Sequence, residues 1–445
     1  MPTVFHSVRL DADKCQGCTN CIKRCPTQAI RVRNKKAYII SDRCIDCGEC
    51  IRVCPHHAKI AVTESFNELI NYKYRIALPA PALYGQFNNL ENVDYVLTGL
   101  KIMGFDKIFE VSKAAEIVSG ATRVMLDSGE LKKPVISSAC PAVLRLIRTR
   151  FPNLLGNLLP LYTPVDLAAK LAREEAKKET GLSDEEIGVF FISPCPAKRT
   201  ATRTPLCYEN SGINGAIAIK DIYPVLVQTM DRLTSSELES INASGIIGVS
   251  WAQSGGESSG LLKERYLAAD GIENVINVLE ELEDEKLNDL DFIELNCCTG
   301  GCVGGVLTVE NPYVAKARIQ RLRKFMPVSC NTIDNETDID SLGWTRELTP
   351  SPAMKLADNV VKAMRMMTRL REIECTLPGL DCGICGAPSC RALAEDIVRG
   401  YAEETDCLLR KYQIEAPDKG EDWLPLPFRM KVMGEEPGEV KKDEG

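Results

Sequence analysis

The strongest constraint in this sequence is a run of cysteines that occurs twice near the N-terminus. The first run has the pattern C-x2-C-x2-C-x3-C-P over residues 15–26, and the second repeats it over residues 44–55. In such runs three cysteines bind one [4Fe–4S] cluster and the fourth binds the cluster of the other run. We therefore predict two clusters with crossed ligands. The first set is Cys15, Cys18, Cys21 and Cys54, and the second is Cys44, Cys47, Cys50 and Cys25.

The cysteine content of the whole chain also indicates metal. There are twenty cysteines and only three histidines in 445 residues, and the cysteines lie in tight clusters. Neighbouring cysteines close almost no loop, so disulfides between them would stabilise little. Reduced thiols in a cytosolic protein remain free to bind metal. Zinc also accepts four thiolates, but its sites use paired C-x2-C units, which differ from this doubled run.

The overall charge and hydropathy narrow the choice of partners. A net charge of −8 argues against nucleic acid, which requires a concentrated basic surface. No stretch approaches the ~18 apolar residues of a membrane helix, and the N-terminus lacks the apolar segment of a signal peptide. We expect a cytoplasmic protein that binds neither nucleic acid nor membrane. A homodimer is the expected oligomer, because closed twofold dimers are the commonest.

The remainder of the chain divides into four parts. After a small α+β domain over residues 1–60, residues 61–345 alternate apolar strand patterns with helical patterns, which predicts an α/β core with mostly parallel sheets. We expect two lobes, split near residue 185, with a site in the cleft between them. A helical connector (346–374), a small helical four-cysteine domain (375–412) and a charged, partly disordered tail (413–445) follow. The predicted strands are 74–78, 107–111, 134–136, 188–192, 245–249 and 292–295.

Four cysteines of the core follow the ends of predicted strands. In open α/β sheets the carboxyl ends of the strands form the edge at which ligands bind. Glycines at 300, 301, 304 and 305 would let the backbone approach a bulky inorganic ligand. A single buried cysteine is usually a small hydrophobic residue, but four at equivalent strand ends predict a metal site. They are Cys140, Cys195, Cys298 and Cys302.

The segments around these cysteines resemble the active-site motifs of [FeFe]-hydrogenases. The family's TSCCP is similar to residues 137–141, SSACP; its MPCxxK to residues 193–198, SPCPAK; and its MACxGGC to residues 296–302, NCCTGGC. The order and spacing of the motifs are kept, and the ferredoxin-like domain precedes the catalytic domain as in the family.

This resemblance implies an H-cluster. The four core cysteines would hold its [4Fe–4S] part, and Cys302 would bridge to a diiron unit with CO, cyanide and azadithiolate ligands. Lys198 matches the lysine that hydrogen-bonds one cyanide, a role in the second ligand shell. Ala80 and Pro81 resemble the segment whose backbone meets the other cyanide.

The chain departs from the family at positions that handle protons. Ala139 stands where catalytic members have a proton-carrying cysteine, and an alanine cannot carry a proton. Ser193 and Asn296 replace two methionines, and Ala201 stands in place of a relay glutamate. We therefore expect an H-cluster whose usual proton path is broken, which resembles the sensory branch of the family. Cys297 is a candidate substitute carrier, although a buried thiol is the simpler interpretation.

A second cysteine cluster lies near the C-terminus. It resembles the four-cysteine [4Fe–4S] domain of several anaerobic electron-transfer and corrinoid proteins, with a helix predicted over residues 391–405; zinc remains a competitor. Its ligands would be Cys382, Cys385, Cys390 and Cys407. No role is assigned to Cys207, Cys297, Cys330 and Cys375.

Two functions remain open. The first is slow hydrogen oxidation and proton reduction, or hydrogen and redox sensing, at an H-cluster that exchanges electrons through four [4Fe–4S] clusters in all. Its partners would be H2 and protons, a redox partner such as ferredoxin, and a downstream signalling protein. The alternative is a non-catalytic protein that transfers electrons or carries clusters and keeps only the central [4Fe–4S] cluster, since a fold alone does not prove a function.

Overall fold

The computed structural model describes residues 5–333 and 339–412, which fall into two compact units. The first comprises residues 5–30, 34–333 and 339–354, and the second comprises residues 31–33 and 355–412. The predicted tail, residues 413–445, lies outside the described residues. Within the described ranges no helix combines the length and the apolar character needed to cross a bilayer.

Short elements surround the two N-terminal cysteine runs. They are β1 (Val8–Leu10), α1 (Asn20–Lys23), β2 (Ile30–Arg33), β3 (Lys36–Ile39), α2 (Glu49–Arg52) and β4 (Lys59–Ala61). Strands β1 and β4 pair antiparallel, with Val8 opposite Ala61, so the two ends of this region meet. Each run therefore has one short helix that begins one residue before its third cysteine.

Seven strands and ten α-helices build the rest of the first unit. The strands are β5 (Tyr74–Pro79), β6 (Lys107–Ile108), β7 (Val135–Ile136), β8 (Ile187–Ser193), β9 (Gly215–Ala218), β10 (Tyr266–Asp270) and β11 (Phe292–Asn296). The helices are α3 (Asp94–Ile102), α4 (Val111–Ser128), α5 (Pro141–Arg150), α6 (Pro164–Thr180), α7 (Pro196–Arg203), α8 (Ile219–Arg232), α9 (Ile246–Ser250), α10 (Gly256–Gly260), α11 (Ile272–Glu283) and α12 (Pro312–Leu322).

The strands form two parallel sheets, as the alternating pattern predicted. One has the order β6-β5-β8-β9 and the other the order β10-β11-β7, and every pairing in both is parallel. The predicted boundary near residue 185 is wrong, because β7 precedes it yet joins β11, while β8 follows it yet joins β5. Parallel neighbours are joined by crossover connections, so strands adjacent in space can be distant in sequence.

The larger sheet is buried on both faces. All seven residues of β8 are buried, and its side chains alternate between two core clusters: Val189 and Phe191 belong to one, Phe190 and Ile192 to the other. This is the period-two alternation of a strand, with both faces apolar because helices cover each of them. The sheet is thereby a rigid support for the loops at its carboxyl edge.

One predicted strand is a helix. Residues 245–249 were expected to be extended, but Ile246–Ser250 form α9. A short apolar run does not distinguish a buried strand from a buried helical turn. Packing decides here, because a Cβ at Gly248 would lie 2.1 Å from the carbonyl oxygen of Ser112, so α9 lies directly against the start of α4.

The second unit is a small helical body. It contains α13 (Val360–Thr376), α14 (Cys390–Val398) and α15 (Leu408–Lys411), and Leu370, Ile373 and Leu393 lie in its apolar core. The helix predicted over residues 391–405 ends at Val398. Gly400 adopts φ +78°, the left-handed conformation that terminates helices, and a 3-10 turn follows at Glu404–Asp406.

Candidate metal centres and active site

The N-terminal cysteines form two separate groups. One cavity of about 10 Å³, measured as the space open to the centre of a water molecule, is lined by four cysteines, and a second cavity of about 20 Å³ is lined by four others. The structure thus brings together the two crossed sets that the spacing predicted. They are Cys15, Cys18, Cys21 and Cys54 in the first, and Cys25, Cys44, Cys47 and Cys50 in the second.

Backbone N–H groups point at the sulfurs of these sites. The amide of Ala29 donates to Sγ of Cys25 at 3.1 Å, and that of Ala58 donates to Sγ of Cys54 at 3.3 Å. Hydrogen bonds to cluster sulfurs are among the factors that set the reduction potential of an iron–sulfur cluster. Both of these cysteines are the crossed fourth ligands of their runs.

The C-terminal cysteines also line one small cavity. Its volume is about 20 Å³, and the backbone amide of Cys390, which begins α14, donates to Asp381 at 2.6 Å. The remaining cysteine of this region, Cys375, is exposed and does not line the cavity. The four that do are Cys382, Cys385, Cys390 and Cys407.

The central site is a larger cavity of about 80 Å³ in the first unit. It is bordered by residues that follow β5 and β8 of one sheet and β7 and β11 of the other, so the carboxyl ends of both sheets meet around it. All four predicted core ligands line it: Cys140, Cys195, Cys298 and Cys302.

Two of these cysteines stand immediately before helices. Cys140 is the N-cap of α5 and Cys195 is the N-cap of α7, and in each case a proline occupies the first turn. Proline is pre-set for the first helical position, and the N-terminal end of a helix favours negative charge. The sequence Cys-Pro therefore places a sulfur where thiolate charge is favoured.

Burial opposes that charge when no metal is bound. It raises the pKa of the Cys302 thiol to about 11 and raises the pKa of Cys140 as well. Metal binding requires deprotonated thiols and must therefore drive their ionisation.

Lys198 is the cation of the central site. Its Nζ lies 3.4 Å from the carbonyl oxygen of Ala139 and borders the cavity. Burial alone would lower the pKa of Lys198, but the neighbouring sulfur groups, with Cys302 the strongest, raise it overall. The side chain is therefore an ammonium group with N–H donors available to an anionic ligand.

The other residues singled out by the family motifs are also near the cavity. Ala80, Pro81, Ala139 and Asn296 line it. Ser193 does not; its hydroxyl donates to the carbonyl oxygen of Cys195 at 2.9 Å and so holds the loop that carries this cysteine.

Gly301 and Gly305 line the cavity, and each also lies very close to the backbone of another loop. Gly301 has φ +88°, and a Cβ there would lie 2.5 Å from the backbone nitrogen of Ser254. A Cβ at Gly305 would lie 2.2 Å from the carbonyl oxygen of Pro194. These close approaches are to other loops of the site, so the two glycines let the loops pack against one another.

Three buried acidic residues that line the cavity were missed from the sequence: Asp46 and two glutamates. Glu257 and Glu294 both line it and are 4% and 2% exposed. Burial and then repulsion from Glu294 raise the pKa of Glu257 well above its usual range, and burial also raises that of Glu294. Glu294 was visible as an acid inside the apolar strand β11, whereas no pattern in the sequence indicated Glu257.

Hydrogen bonds fix the positions of this pair. The hydroxyl of Ser137 donates to Glu257 at 2.6 Å, and the side-chain amide of Asn296 donates to Glu294 at 2.7 Å. Backbone amides of Gly255 and Ser258 also donate to Glu294. Because Glu294 receives more donors, its carboxylate form is the better stabilised, and Glu257 is the better candidate to hold a proton.

The second N-terminal set lies beside the central cavity. Cys47 lines both its own cavity and the central one. The thiol of Cys297 is buried, lies 4.0 Å from the carbonyl oxygen of Cys47 and precedes Cys298 in the chain. Of the other unassigned cysteines, Cys207 is buried, and Cys330 and Cys375 are exposed.

Comparison with known proteins identifies the family. The family model described as "Iron only hydrogenase large subunit, C-terminal domain" matches residues 73–267 and 223–306, together more than half of the chain. The chain belongs to the iron-only hydrogenase family. A 4Fe-4S dicluster domain matches residues 7–55, and an Fe–S cluster region matches residues 377–409, which confirms the two accessory iron–sulfur regions predicted from the sequence.

Its relatives within and around the family are distant. Iron hydrogenase 1 of Clostridium pasteurianum is 22% identical over 56% of this chain and 53% of its own length. The periplasmic [Fe] hydrogenase large subunit of Nitratidesulfovibrio vulgaris is 27% identical over 44% of this chain and 52% of its own. The chain therefore spans about half the length of these curated hydrogenases.

Two further similarities differ in kind. The cytosolic Fe-S cluster assembly factor NAR1 of Botryotinia fuckeliana is 28% identical over 26% of this chain and 21% of its own length. Among solved structures, an [FeFe]-hydrogenase described in terms of oxygen inactivation of its H cluster is 13% identical over 64% of this chain and 98% of its own, with a TM-score of 0.49. The chain is a hydrogenase-like iron–sulfur protein.

Proposed function

We propose that the central cavity holds an H-cluster and that the protein interconverts hydrogen with protons and electrons slowly, as a hydrogen or redox sensor. One observation carries this proposal. The four thiols of the central site border about 80 Å³ of open space, whereas each accessory site borders 10 to 20 Å³. A site for a single cube needs no such space.

The residues around that space fit a diiron unit with anionic ligands. A water molecule needs roughly 10–15 Å³ on this measure, so the central cavity has room for several additional small groups. Lys198 offers a buried cation to one of them. Ala80 and Pro81 present backbone and small apolar groups on the wall. Cys302 is the ligand that would bridge the cube and the diiron unit.

The diiron unit and the side chains of the protein would have separate roles in the reaction. The diiron unit, when bound, would supply the metal at which hydrogen is split or formed. Cys140, Cys195 and Cys298 would hold the cube, and Lys198 would orient the unit through its N–H donors. The mostly apolar wall around it would exclude bulk water, which strengthens each of these electrostatic interactions.

Proximity of the cluster sites supports an electron route. Cys47 would bind one accessory cube and also borders the central cavity. The thiol of Cys297 contacts the carbonyl oxygen of Cys47, and Cys297 is bonded through the backbone to the next residue, the predicted ligand Cys298. Electrons would pass between the central site and this accessory cube along this short path.

Glu257 is the proposed proton-holding group at the cavity. Burial and repulsion from Glu294 raise the pKa of Glu257 well above the usual range of a carboxyl group, which favours the protonated form that a general acid requires. In hydrogen production Glu257 would give this proton to the central site, and in hydrogen oxidation its carboxylate would accept one. Glu257 would thus take the role of the family's proton-carrying cysteine, because Ala139, which stands at that position, cannot carry a proton.

The absence of ionisable side chains at two positions of the family's proton path supports a sensory role. Ala139 and Ala201 carry no ionisable group, which favours low turnover over bulk hydrogen conversion. We propose that the redox state of the clusters is passed to a ferredoxin-like redox partner or to a signalling protein, in the cytoplasm. A homodimer is the proposed assembly, and nucleic acid and membrane are not proposed partners.

The second candidate is a non-catalytic protein that keeps only the central cube. The short similarity to the assembly factor NAR1 and the substitutions Ser193 and Asn296 favour it. Iron analysis separates the two, because the first candidate holds about two irons per chain beyond its cubes.

Infrared spectroscopy of protein matured with the diiron unit is the direct test. The expected result is a set of CO and cyanide stretching bands that changes under hydrogen. A Lys198→Met variant should show shifted cyanide bands, while Lys178→Met, on the exposed end of α6, should not. Absence of CO and cyanide bands in the wild-type protein after maturation would refute the H-cluster and leave the cluster-carrying alternative.

A further inference from the structure

A second cavity adjoins the central one and contains a buried acid. Its volume is about 40 Å³, and Ala139, Pro141, Val165 and Lys198 line both cavities. Asp166, which is 5% exposed, lines the second cavity only. On the measure of roughly 10–15 Å³ per water molecule, the space has room for two or three waters.

Small side chains keep this space open. Ala139 and Ala201 both border it and contribute only methyl groups. The wall is mostly apolar, but the Asp166 carboxyl, the Lys198 ammonium and several hydroxyl groups line it and offer the two to four polar partners that a buried water needs. The hydroxyl groups are those of Ser138, Thr163, Thr202 and Tyr208.

The surroundings of Asp166 act on the pKa of its carboxyl in both directions, and burial has the larger effect. Burial raises the pKa of its carboxyl, while the hydroxyls of Thr163 and Tyr208 and the charge of Lys198 act in the opposite direction. The Thr163 hydroxyl donates to Asp166 at 2.5 Å. The net effect raises the pKa of Asp166, so its carboxyl keeps a proton to higher pH than an exposed aspartate does and can release it to a neighbouring base.

Five other ionisable side chains lie near Asp166 or line its cavity. They come from the loop before α6, from helices α5 and α7, and from the segment that follows α7. The guanidinium of Arg145 donates to Thr204 at 3.0 Å. The ionisable groups are Lys198, Tyr162, Tyr208, Cys207 and Arg145.

We propose that the second cavity holds water that connects Asp166 with Lys198, and that Asp166 stores and transfers a proton for the central site. This inference rests on the proposed hydrogen chemistry. When Lys198 gives one of its N–H protons to an acceptor in the central cavity, cavity water returns a proton to Nζ and Asp166 returns one to the water. The carboxylate left on Asp166 is stabilised by the hydroxyls of Thr163 and Tyr208 and by the Lys198 ammonium.

A purely structural use of Asp166 makes different predictions. Thr163 is the N-cap of α6 and Asp166 lies in its first turn, so the carboxylate also favours the start of this helix. That role requires an ionised carboxylate at every pH near neutrality. Proton storage requires a neutral carboxyl that loses its proton as pH rises.

Infrared difference spectroscopy across pH distinguishes the two roles, using full-length protein that carries its [4Fe–4S] clusters but has not received the diiron unit. The expected result is a carboxylic C=O band that shifts in D2O, weakens as pH rises and is absent in Asp166→Asn. Asp127→Asn, an exposed carboxylate paired with Lys263, is the matched control and should retain the band. A spectrum of Asp166→Asn identical to that of the wild type would overturn the proposal.

Tyr208→Phe gives an independent readout should Asp166→Asn not fold. Loss of one donor to the carboxylate should keep the Asp166 band present to higher pH, and an unchanged pH dependence would contradict the proposal. In matured protein, Asp166→Asn should lower hydrogen turnover by ~10²-fold, with partial recovery in Asp166→Glu. If CO and cyanide bands are absent but the Asp166 band is present, the H-cluster fails and the proton-holding site stands.

Discussion

The accessory cluster sites and the central site use the same number of thiols in different ways. The two N-terminal sites draw their cysteines from runs that end by residue 55, and they leave about 10 and 20 Å³ open. The central site draws its cysteines from three loops between residues 140 and 302, and it leaves about 80 Å³ open. The larger volume of the central cavity therefore comes from the fold around the cysteines and not from their number.

The walls of the two kinds of site explain the difference. In the N-terminal accessory sites the short loops that carry the cysteines close the cavity together with residues of the neighbouring short strands β1 to β4. In the central site the carboxyl edges of two sheets meet. Residues that are distant in sequence from any cysteine, such as Ala80 and Trp251, complete the wall. A rigid two-sheet support can hold open a space next to a cube, whereas a short loop wraps tightly around it.

Replacing one cysteine at each kind of site should give the largest effects. Cys302→Ser should abolish hydrogen turnover and lower the iron content by about six per chain, because in the proposed site this cysteine would help to hold both the cube and the diiron unit. Cys50→Ser, in an accessory site, should lower it by about four and preserve the CO and cyanide bands. Iron analysis and infrared spectra of the same samples provide the comparison.

The exposed Cys330 provides the control, since Cys330→Ser should change neither quantity. Equal iron losses in Cys302→Ser and Cys50→Ser would mean that both sites hold a cube alone. The difference in volume between the central and the accessory cavities would then not reflect a difference in the cofactor that they hold.

Glu257→Gln should have the next largest effect. The amide keeps the size of the side chain but holds no transferable proton, so turnover should fall by ~10²-fold or more. Because burial and Glu294 raise the pKa of Glu257, its acid form persists above the usual range. Wild-type proton reduction should fall as pH rises through that pKa, and hydrogen oxidation should rise, since oxidation needs the carboxylate as acceptor.

The variant should lose this pH dependence while retaining its infrared bands. Glu283→Gln, at the end of α11 and away from the cavity, is the matched substitution and should behave as wild type. A Glu257→Gln protein with the wild-type pH profile would exclude Glu257 from the proton path and leave Asp166 as the proposed proton donor of the site.

The same contrast shows what the sequence could reveal. The N-terminal ligands followed from spacing alone, because ligands close in sequence are close in space. The central cysteines followed from their position after strands and from family motifs. Glu257 lies on the five-residue helix α10, and its approach to the cavity depends on how α10 packs beside β11, which no local pattern encodes. The lobes were misdivided for the same reason, since β7 pairs across a long stretch of sequence.

Lys198→Ala should produce an intermediate effect that is confined to the central site. Loss of a group that orients a metal ligand typically costs 10–100-fold in affinity or activity, so we expect a fall of about that size in the amount of diiron unit retained. The accessory clusters should keep their spectra and potentials. Lys178→Ala serves as control, and an unchanged content of CO and cyanide ligands in Lys198→Ala would show that the unit is held without this lysine.

Ala139→Cys should give the smallest change and the only increase. Ala139 borders both the central and the second cavity, so a thiol here has space on either side and would place a proton donor between them. If proton supply limits turnover, the rate should rise by about tenfold, less than the ~10²–10⁴-fold of a fully positioned acid because a thiol added to an existing site is not optimally placed. Ala139→Ser is the matched variant, because a hydroxyl fills similar space but is a far weaker acid; it should show little gain. Equal rates in Ala139→Cys and the wild type, with the diiron unit present in both, would locate the limiting step outside proton transfer and would turn attention to the electron path through Cys297.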